Sequence, residues 1–462
     1  MKQIKVLLIL LLLYPLFNGV SQEKIWNETK AEKEKRMAWW VNDRFGMFIH
    51  FGLYALPARH EWVANKEHIP AEEYQKYFEE FNPDLFNPTE WARLAKSAGM
   101  KYAVITTKHH EGFTLFDSKL TDYKVTNTPY GKDLLKEWVD AFRAEGIKIG
   151  FYYSVIDWHH PDYTIDRVHP LRPDDPKAYA VLNKDRDMTK YRKYLHAQVE
   201  ELLTKYGKVD MLWFDFTFPG EHGKTRDDWN SVKLMKMVRE LQPNIIVNER
   251  LDLKDYHGGW DFTTPEQFKL SEWPTYKGEK IPWETCQTFS GSWGYHRDEM
   301  TWKNEKQLLA LLIESVSKGG NLLLNVGPDG RGSIDHRAQE ALKKMGHWTK
   351  FNNRSIYGCT QAPDRFNVPE NTLLTYNPKT NRLYIHLLDY PLQNFTLNGY
   401  KGKVKYAQFL HDASEIQFTE LHGTWAFGGE GGKDSVKDGA INLSLPIKKP
   451  LFEIPVIELI LK

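Results

Sequence analysis

A carboxylate at the end of an apolar stretch is the feature of this sequence best suited to chemistry. Residues 209–216 read Val-Asp-Met-Leu-Trp-Phe-Asp-Phe, a run that fits a buried strand and closes with Asp215. An ionised carboxylate in such surroundings is costly unless it is paired, hydrogen-bonded or placed to react. We therefore expect Asp215 to be catalytic. Asp210 begins the same run, at the opposite end of the strand, and we expect it to be structural.

Other side chains that can hydrogen-bond lie at or just after the ends of the strand-like segments. The set comprises His50, His109, His110, Tyr152, Trp213 and Arg250. The carboxyl ends of parallel strands meet at one rim, so we expect these side chains to form one site. Glu61 and Trp62 follow the first segment and offer a carboxylate beside an indole, a combination that suits a sugar ring. Taken alone, His50 could be a core histidine and Arg250 a structural ion-pair partner of Asp215.

Several carboxylates later in the chain could supply a second catalytic group. Hydrolysis of a glycosidic bond needs two carboxyl groups, one on each side of the bond. With Asp215 as the first, the candidates for the second are Asp261, Glu266, Glu272 and Glu284. Spacing does not choose between them, because the burial or nearby charge that raises the pKa of an acid is not visible in the sequence.

The adjacent histidines also raise the question of a metal site. His109 and His110 could be metal ligands. Metal-dependent barrel hydrolases, however, usually carry His-x-His on the first strand, where this chain has only His50, and no His-Glu-x-x-His motif occurs. Neutral histidines suit sugar hydroxyls equally well. We expect neither a metal ion nor a cofactor.

The elements that must position these residues alternate between strands and helices. The predicted strands are 45–51, 102–107, 148–154, 209–216, 244–248 and 320–326, and the predicted helices are 88–98, 133–145, 188–206, 228–241, 304–317 and 336–350. Repeated strand–helix units indicate a parallel sheet. Their number favours a closed (β/α)8-like TIM barrel over an open doubly wound sheet, which would carry a Gly-rich phosphate loop. The pattern is lost between residues 250 and 300.

From residue 356 onward, short alternating segments bounded by turns replace this pattern. The predicted strands are 373–376, 382–388, 404–409, 414–418, 441–445 and 456–461. Such a series is typical of an antiparallel β-sandwich. We therefore expect an α/β barrel over residues 22–355 and a C-terminal β-sandwich domain over 356–462.

The first residues have the features of a secretion signal. Lys2 and Lys5 precede an apolar run at 6–17, and Gly19 and Ser21 offer a cleavage site. The run is too short to cross a membrane comfortably. We therefore predict a signal peptide over 1–21 and export to the periplasm or the exterior, without stable membrane insertion.

The composition limits the partners of this chain. Its 62 basic and 61 acidic residues give a net charge of +1, so there is no broad basic field for nucleic acid. Aromatic residues make up 14% of the chain and include 16 Trp, which suits either sugar-binding clefts or a Trp-rich core. Cys286 and Cys359 could pair or remain separate buried thiols.

These motifs together resemble glycoside hydrolase family 29, the retaining α-L-fucosidases. The matching segments, in family order, are Arg-Phe-Gly-Met-Phe-Ile-His50-Phe-Gly, Glu61-Trp62, Thr-Thr-Lys-His109-His110-Glu-Gly-Phe, Tyr152-Tyr-Ser, Trp213-Phe-Asp215, Asn248-Glu-Arg250 and Gly320-Asn-Leu-Leu-Leu-Asn-Val-Gly-Pro328. They cover most of the predicted barrel. The C-terminal β-sandwich also fits the plan of that family.

The resemblance implies roles for particular positions. Asp215 matches the nucleophile, and Glu266, in Thr-Thr-Pro-Glu, best matches the general acid/base. The positions expected to bind fucose or wall its pocket are His50, Glu61, Trp62, His109, His110, Tyr152, Trp213, Arg250 and Trp293. We therefore expect an exo-acting retaining α-L-fucosidase that acts on a fucosylated oligosaccharide or glycoconjugate.

Two other interpretations stay open at this point. A related barrel glycosidase could act on another sugar with the L-galacto arrangement of hydroxyls, because a C5-methyl group adds only modest selectivity in an apolar pocket. A non-catalytic carbohydrate-binding protein would keep the aromatic residues and lose a carboxylate. This chain keeps Asp215 and several acids after it, which favours an enzyme.

Overall fold

The structure of the protein is a computed structural model that describes residues 24–421 and 439–462. The predicted signal peptide, residues 1–21, lies outside the described residues. Within the two described ranges, no helix is both long and apolar enough to cross a membrane.

Helices and strands alternate through the first three quarters of the chain. The helices are α1 (Lys30–Asp43), α2 (Val63–Lys66), α3 (Ala71–Glu79), α4 (Pro88–Ala98), α5 (Leu134–Ala144), α6 (Ala178–Leu182), α7 (Met188–Lys205), α8 (Arg226–Trp229), α9 (Ser231–Leu241), α10 (Glu305–Ser317) and α11 (His336–Asn352). The strands are β1 (Phe45–Ile49), β2 (Tyr102–Lys108), β3 (Lys148–Ser154), β4 (Met211–Asp215), β5 (Ile246–Val247), β6 (Thr275–Tyr276), β7 (Glu279–Lys280), β8 (Glu284–Thr288) and β9 (Asn321–Val326).

Local sequence signals explain where these helices begin and end. At α4, the side chain of Asn87 accepts a hydrogen bond from the backbone of Glu90, and Pro88 occupies the first helical position. Gly99 ends the helix with a φ of 96°, a conformation that glycine adopts without steric cost. The predicted helix over 88–98 is confirmed because both of its boundaries depend on residues within or next to it.

The seven-stranded sheet is parallel throughout and curls into a barrel. Its order is β5-β4-β3-β2-β1-β9-β8. The segment 262–266 lies between the two edge strands, with parallel bridges from Phe262 to Asn248 and from Glu266 to Cys286. We call it the closing segment, because it completes the ring. The predicted TIM-like barrel is confirmed. The strand β8 was missed because its sequence, Glu-Thr-Cys-Gln-Thr, is buried yet largely polar.

Alternation along each strand decides which side chains enter the barrel. In β4, Leu212 and Phe214 belong to the apolar cluster between sheet and helices, whereas Met211 and Trp213 belong to the cluster inside the barrel. Asp215 continues the inward series at the carboxyl end of the strand. The sequence run that suggested a buried strand therefore also aims its last carboxylate into the barrel mouth.

The C-terminal part is an antiparallel sandwich. Its strands are β10 (Thr360–Gln361), β11 (Thr372–Asn377), β12 (Arg382–Leu387), β13 (Asn394–Leu397), β14 (Val404–Phe409), β15 (Phe418–Glu420), β16 (Ile441–Ser444) and β17 (Val456–Leu461). They form a sheet β10-β11-β12-β17-β14 and a sheet β13-β16-β15, which enclose a core that includes Leu383, Ile385, Leu397 and Leu443. The predicted β-sandwich is confirmed, although the strand predicted over 414–418 begins only at Phe418.

The boundary expected between residues 355 and 356 falls between α11, which ends at Asn352, and β10, which begins at Thr360. The exact division stays a prediction. Cys286 lies in the barrel and Cys359 beside its C-terminal end; both are buried free thiols, so they do not pair.

Candidate active site

A pocket opens at the carboxyl ends of the barrel strands. It has an empty volume of about 360 Å³. The residues that line it are Phe48, His50, Trp62, His109, His110, Tyr152, Trp213, Asp215, Phe216, Glu266, Cys286 and Trp293. The structure thus brings together the residues singled out in the sequence, except that Glu61 and Arg250 are not among those lining it. Arg250 hydrogen-bonds Asp215 and Glu266, and Glu61 accepts a hydrogen bond from the backbone of Trp293, so both contact residues that line the pocket.

Asp215 is held at both of its carboxylate oxygens. Asp215 is largely buried, with 8% of its surface exposed to solvent. The hydroxyl of Tyr152 donates to Oδ2 at 2.7 Å, and Nη1 of Arg250 donates to Oδ1 at 2.7 Å. Burial, reinforced by the charge of Asp215, holds the pKa of Tyr152 well above its ordinary value, so its hydroxyl keeps the proton that it donates. The two donors fix the orientation of the carboxylate.

Arg250 joins Asp215 to a second carboxylate. Its Nη2 donates to Oε2 of Glu266 at 3.0 Å, while its guanidinium lies 4.5 Å from the centre of the Trp213 ring. Burial alone would lower the pKa of Arg250, but the charges of Asp215 and Glu266 raise it above its ordinary value. A permanently charged, planar group therefore spans two acids in a fixed geometry.

The segment that carries Glu266 is held by hydrogen bonds with the residues that follow β5. Oε1 of Glu249 accepts a hydrogen bond from the backbone of Thr264 at 2.9 Å, and its Oε2 accepts one from the Thr264 hydroxyl at 3.1 Å. Arg250 also donates to Thr264, from Nε at 3.0 Å. Glu266 itself is the more accessible acid, with 43% of its side chain exposed against 11% for Asp215. A proton on Glu266 can therefore exchange with solvent.

The rival acids lie elsewhere. Glu284 faces the barrel interior but starts β8, two residues before Cys286, and so lies about 6–7 Å deeper along the strand. It accepts hydrogen bonds from Trp40 and Tyr102, and burial raises its pKa to about 8. It is completely buried. This carboxyl belongs to the floor of the barrel, beneath the pocket.

The other two candidates also lack a place at the pocket. Asp261 accepts hydrogen bonds from Arg36 and Arg239 and from the backbone of Val247. Burial opposes its charge, yet the two arginines hold the pKa of Asp261 well below its ordinary value. It is structural, whereas Glu272 is exposed in a turn. Asp210 is structural as predicted, since it accepts from the backbone of Ile149.

The three pocket histidines are neutral. Burial lowers the pKa of His50 to about 3 and those of His109 and His110 well below their ordinary value. Ser154 donates its hydroxyl proton to a backbone carbonyl, so Nδ1 of His110, 2.7 Å from Ser154 Oγ, is the donor of that pair. Nε2 of His110 is then an acceptor, 3.9 Å from Oδ2 of Asp215. Two acceptors that face each other leave room for a donor from a ligand.

Glu61 stands behind the pocket wall. Its Oε2 accepts hydrogen bonds from the backbone of Trp293 at 3.1 Å and of Gly294 at 2.9 Å. Oε1 lies 3.1 Å from Nδ1 of His60, but that nitrogen already accepts from the backbone of Trp62, so it has no proton to donate. Burial raises the pKa of Glu61 to about 7. Its position fixes the loop that carries Trp293.

Sequence reasoning missed several pocket residues. Phe48 and Cys286 are apolar residues of barrel strands, and only their inward register could have identified them. Phe216 has a φ of 83°, which is unusual for a bulky residue and turns the chain directly after Asp215. Asn325 links His50 to Trp293, through bonds of 2.6 Å and 2.7 Å. Its signal was present in the Asn-Leu-Leu-Leu-Asn run.

A metal-ion site needs several His, Cys, Asp or Glu side chains close together. Across residues 24–421 and 439–462, no group of three or more His, Cys, Asp or Glu side chains is arranged to hold a metal ion.

A comparison with protein families identifies relatives of the chain. A family model described as Alpha-L-fucosidase matches residues 17–354. Tissue alpha-L-fucosidase of Homo sapiens is 30% identical over 389 residues, which cover 78% of this chain and 77% of that protein. Alpha-L-fucosidase of Dictyostelium discoideum is 28% identical over 423 residues, covering 85% of this chain and 86% of the other.

Solved structures are similar across nearly the whole chain. Alpha-L-fucosidase isoenzyme 1 from Paenibacillus thiaminolyticus has a TM-score of 0.84 and 44% identity, covering 93% of this chain and 99% of that one. An alpha-L-fucosidase from Bacteroides thetaiotaomicron, solved as a trapped covalent intermediate with 2-fluoro-fucosyl fluoride, has a TM-score of 0.79 and 28% identity, covering 96% and 99%.

Proposed function

Because the chain belongs to the α-L-fucosidase family, glycoside hydrolase family 29, and is a glycoside hydrolase, we propose that it releases terminal α-linked L-fucose from glycans by double displacement. Asp215 is the nucleophile and Glu266 the general acid/base. The observation that carries this assignment is the single guanidinium of Arg250, which hydrogen-bonds both carboxylates at the mouth of a small pocket.

In the first step, a carboxylate oxygen of Asp215 attacks the anomeric carbon. The bond from that carbon to the leaving oxygen breaks, and Glu266 gives its proton to that oxygen. The bonds from Tyr152 and Arg250 keep the nucleophile in line, so little reorganisation is needed. The product is a covalent fucosyl ester of Asp215 and a free leaving group.

In the second step, water enters on the face that the leaving group has vacated. Glu266, now ionised, takes a proton from the water as it attacks the anomeric carbon, and the ester bond to Asp215 breaks. Each step inverts the anomeric centre, so the released fucose keeps the α configuration. The exposure of Glu266 supports this role, because the same group must meet both the leaving group and water.

The small pocket supports an exo-acting enzyme that binds one sugar. Its neutral histidines offer acceptors for hydroxyl groups, among them Nε2 of His110, which lies 3.9 Å from Oδ2 of Asp215. Trp293 lies 5.1 Å from His50 and 5.9 Å from Phe48, ring centre to ring centre. This aromatic wall suits the apolar C5-methyl group of fucose. The substrate is a fucosylated oligosaccharide or glycoconjugate.

A trapping experiment tests the nucleophile. The enzyme is incubated with 2-fluoro-fucosyl fluoride, digested, and its peptides are sequenced by mass spectrometry. We expect one fluorofucosyl adduct, on the peptide with Met211–Asp215, located at Asp215. An adduct on Glu266, or inactivation with an adduct at another residue, would contradict the assignment.

A second measurement tests the sugar. We expect hydrolysis of 4-nitrophenyl α-L-fucoside to exceed that of the matched L-galactoside, since only fucose presents a methyl group to the aromatic wall. A faster rate on the L-galactoside would favour the related glycosidase. The predicted signal peptide further supports the proposal that the enzyme works in the periplasm or outside the cell.

A further inference from the structure

Asn325 is a buried amide beside the pocket, and no step of the proposed mechanism uses it. It is 2% exposed and is the last but one residue of β9. Its neighbours Leu324 and Val326 belong to the apolar cluster between sheet and helices, whereas Leu323 belongs to the cluster inside the barrel. Asn325 therefore points into the barrel, at the rim where the strand ends.

Two hydrogen bonds fix the orientation of this amide. The carbonyl oxygen of Trp293 can only accept, so the atom of Asn325 that lies 2.7 Å from it is the amide nitrogen. The amide oxygen then faces Nδ1 of His50, at 2.6 Å. An amide oxygen carries no proton of its own. The proton in this bond therefore belongs to Nδ1 of His50.

The tautomer of His50 follows from this bond. Burial lowers the pKa of His50 to about 3, so the ring carries a single proton at neutral pH. With that proton on Nδ1, Nε2 keeps its lone pair. His50 lines the pocket, and Nε2 is the ring nitrogen left for a ligand. It is therefore an acceptor that suits the proton of a sugar hydroxyl.

His110 is held in the same way from another strand. Its Nδ1 lies 2.7 Å from Oγ of Ser154, which leaves Nε2 as an acceptor near Asp215. Both histidines thus keep their proton on the nitrogen that contacts a polar side chain of a strand, Asn325 on β9 or Ser154 on β3. The pocket thereby presents two acceptors to hydroxyl donors.

The carbonyl that orients Asn325 is itself held in place. Oε2 of Glu61 accepts hydrogen bonds from the backbone of Trp293 at 3.1 Å and of Gly294 at 2.9 Å. Gly327, two residues after Asn325, packs directly against this turn, because a Cβ there would lie 2.7 Å from the oxygen of Trp293. The turn therefore sets the orientation of the amide, and the amide sets the tautomer of the ring.

We propose that Asn325 is a positioning residue: it holds the proton of His50 on Nδ1, so that Nε2 accepts a hydroxyl group of the bound sugar. This role rests on the proposed function, because it concerns a sugar in the pocket. Asn325 is not among the residues that line the pocket and acts through His50. Its loss should therefore change kcat/KM only while His50 is present.

Nitrogen NMR measures the tautomer directly. The enzyme is labelled with 15N-histidine, and long-range 1H–15N correlations at neutral pH distinguish a protonated ring nitrogen from a bare one. Among the 17 histidines, His50 is identified by the signals that His50→Gln removes. We expect the wild type to carry this proton on Nδ1. In Asn325→Leu the proton should move to Nε2, at least in part, because Nδ1 has lost its acceptor.

Added L-fucose tests the function of the bare nitrogen. In the wild type, saturating L-fucose should shift the Nε2 signal of His50, because a hydroxyl group donates to it. In Asn325→Leu this shift should be smaller, since part of the population carries a proton on Nε2. A wild-type Nε2 signal that stays in place, while other pocket histidines respond to L-fucose, would contradict the proposal.

A double-mutant cycle supplies the kinetic test. Asn325→Leu alone should lower kcat/KM for 4-nitrophenyl α-L-fucoside by about 3- to 10-fold, as for the loss of one hydrogen bond. In a His50→Leu background, the same change should alter kcat/KM by less than about twofold. Equal losses with and without His50 would mean that Asn325 acts by another route.

Asn321→Leu is the matched control. Asn321 is a buried amide on the same face of β9, about 13 Å nearer the barrel floor, and it donates to the backbone oxygen of Trp40 at 2.8 Å. Its replacement should leave the proton of His50 on Nδ1, whatever it does to stability. A proton that moves to Nε2 in this variant as well would show that any lost amide on the strand has this effect.

The outcomes separate this proposal from the proposed function. A wild-type His50 with its proton on Nε2 would overturn the role of Asn325, and this measurement needs no folded Asn325 variant. Failure of the wild type to hydrolyse 4-nitrophenyl α-L-fucoside would overturn the proposed function. Hydrolysis of that substrate by an enzyme whose His50 carries the proton on Nε2 overturns only the role of Asn325.

Discussion

Asp215 and Glu266 accept hydrogen bonds from the same guanidinium, at 2.7 Å and 3.0 Å from the two terminal nitrogens of Arg250. The two acids come from different elements, β4 and the closing segment, and no local sequence feature relates them. Arg250, just after β5, sits between these elements and sets their mutual position. One guanidinium therefore holds both carboxylates at the pocket.

Loss of Asp215, the proposed nucleophile, should abolish turnover without unfolding the protein. We expect Asp215→Ala to lower kcat by on the order of 10³-fold or more, because the covalent step is lost. Azide should restore part of the activity and yield β-fucosyl azide, since a single displacement inverts the anomeric centre. Asp210→Asn is the control, at the other end of the same strand, and should keep kcat within a few-fold. Near-normal turnover of Asp215→Ala would refute its role.

Activity lost with Glu266, the proposed acid/base, should be rescued by azide with the opposite stereochemistry. In Glu266→Ala, Asp215 still forms the ester, so azide attacks the intermediate and yields α-fucosyl azide after two inversions. Substrates with good leaving groups should be less affected than natural glycans, because they need little protonation. Glu272→Ala changes an exposed carboxylate outside the pocket and should behave as the wild type. If azide rescued Glu272→Ala and not Glu266→Ala, the acid/base would be Glu272 and not Glu266.

Neighbouring tyrosines on β3 provide a test of the hydrogen bond to Asp215. Tyr152→Phe removes the donor 2.7 Å from Asp215. A hydrogen bond to a charged group contributes about 1.5–3 kcal/mol, so kcat should fall roughly 10- to 100-fold. Tyr153→Phe is the matched control, because that side chain points outward and donates to Gln198 at 2.8 Å. Equal losses in both variants would mean that the effect is structural.

The buried Glu284 should make stability depend on pH. Its pKa is raised by burial to about 8, against an ordinary 4.5. The folded protein then holds a proton that the unfolded chain releases, so the free energy of unfolding falls as pH rises from about 4.5 to about 8. Glu284→Gln keeps the shape without the charge. Urea unfolding at pH 5 and pH 8 should show a smaller decrease in the variant, by on the order of 2 kcal/mol.

Burial also raises the pKa of Glu61 to about 7 and the pKa of Glu111 to about 8. Both groups therefore lower the free energy of unfolding as pH rises, so Glu284→Gln should retain part of the pH dependence. The kcat of the variant provides a second measurement. Because Glu284 lies beneath the pocket, Glu284→Gln should keep kcat within a few-fold at neutral pH. An identical pH slope in both proteins would show that Glu284 is not the proton-holding group, and a collapse of kcat rescued by azide would make it the acid/base.

The strand–helix alternation was predictable from the sequence, because buried strands give apolar runs and amphipathic helices give an apolar face whatever they contact. The residues at the ends of the strands, from His50 to Arg250, were therefore correctly predicted to lie at one rim. The apolar run that ends in Asp215 indicated a buried carboxylate with a function. The resemblance of seven motifs to one family then supplied an expected role for each.

Other features depended on the tertiary structure. β8 and the closing segment are polar or short, so no hydrophobic period marks them. The choice among Glu266, Glu284, Glu272 and Asp261 depends on depth, partners and exposure, which arise only when distant segments meet. The hydrogen bond from the Trp293 backbone to Glu61 was not visible in the sequence, and the expected contact of Glu61 with the sugar stays a prediction. Sequence periodicity determines which way a side chain faces along its own element, whereas the position of one charge relative to another is decided by how the elements close into a barrel.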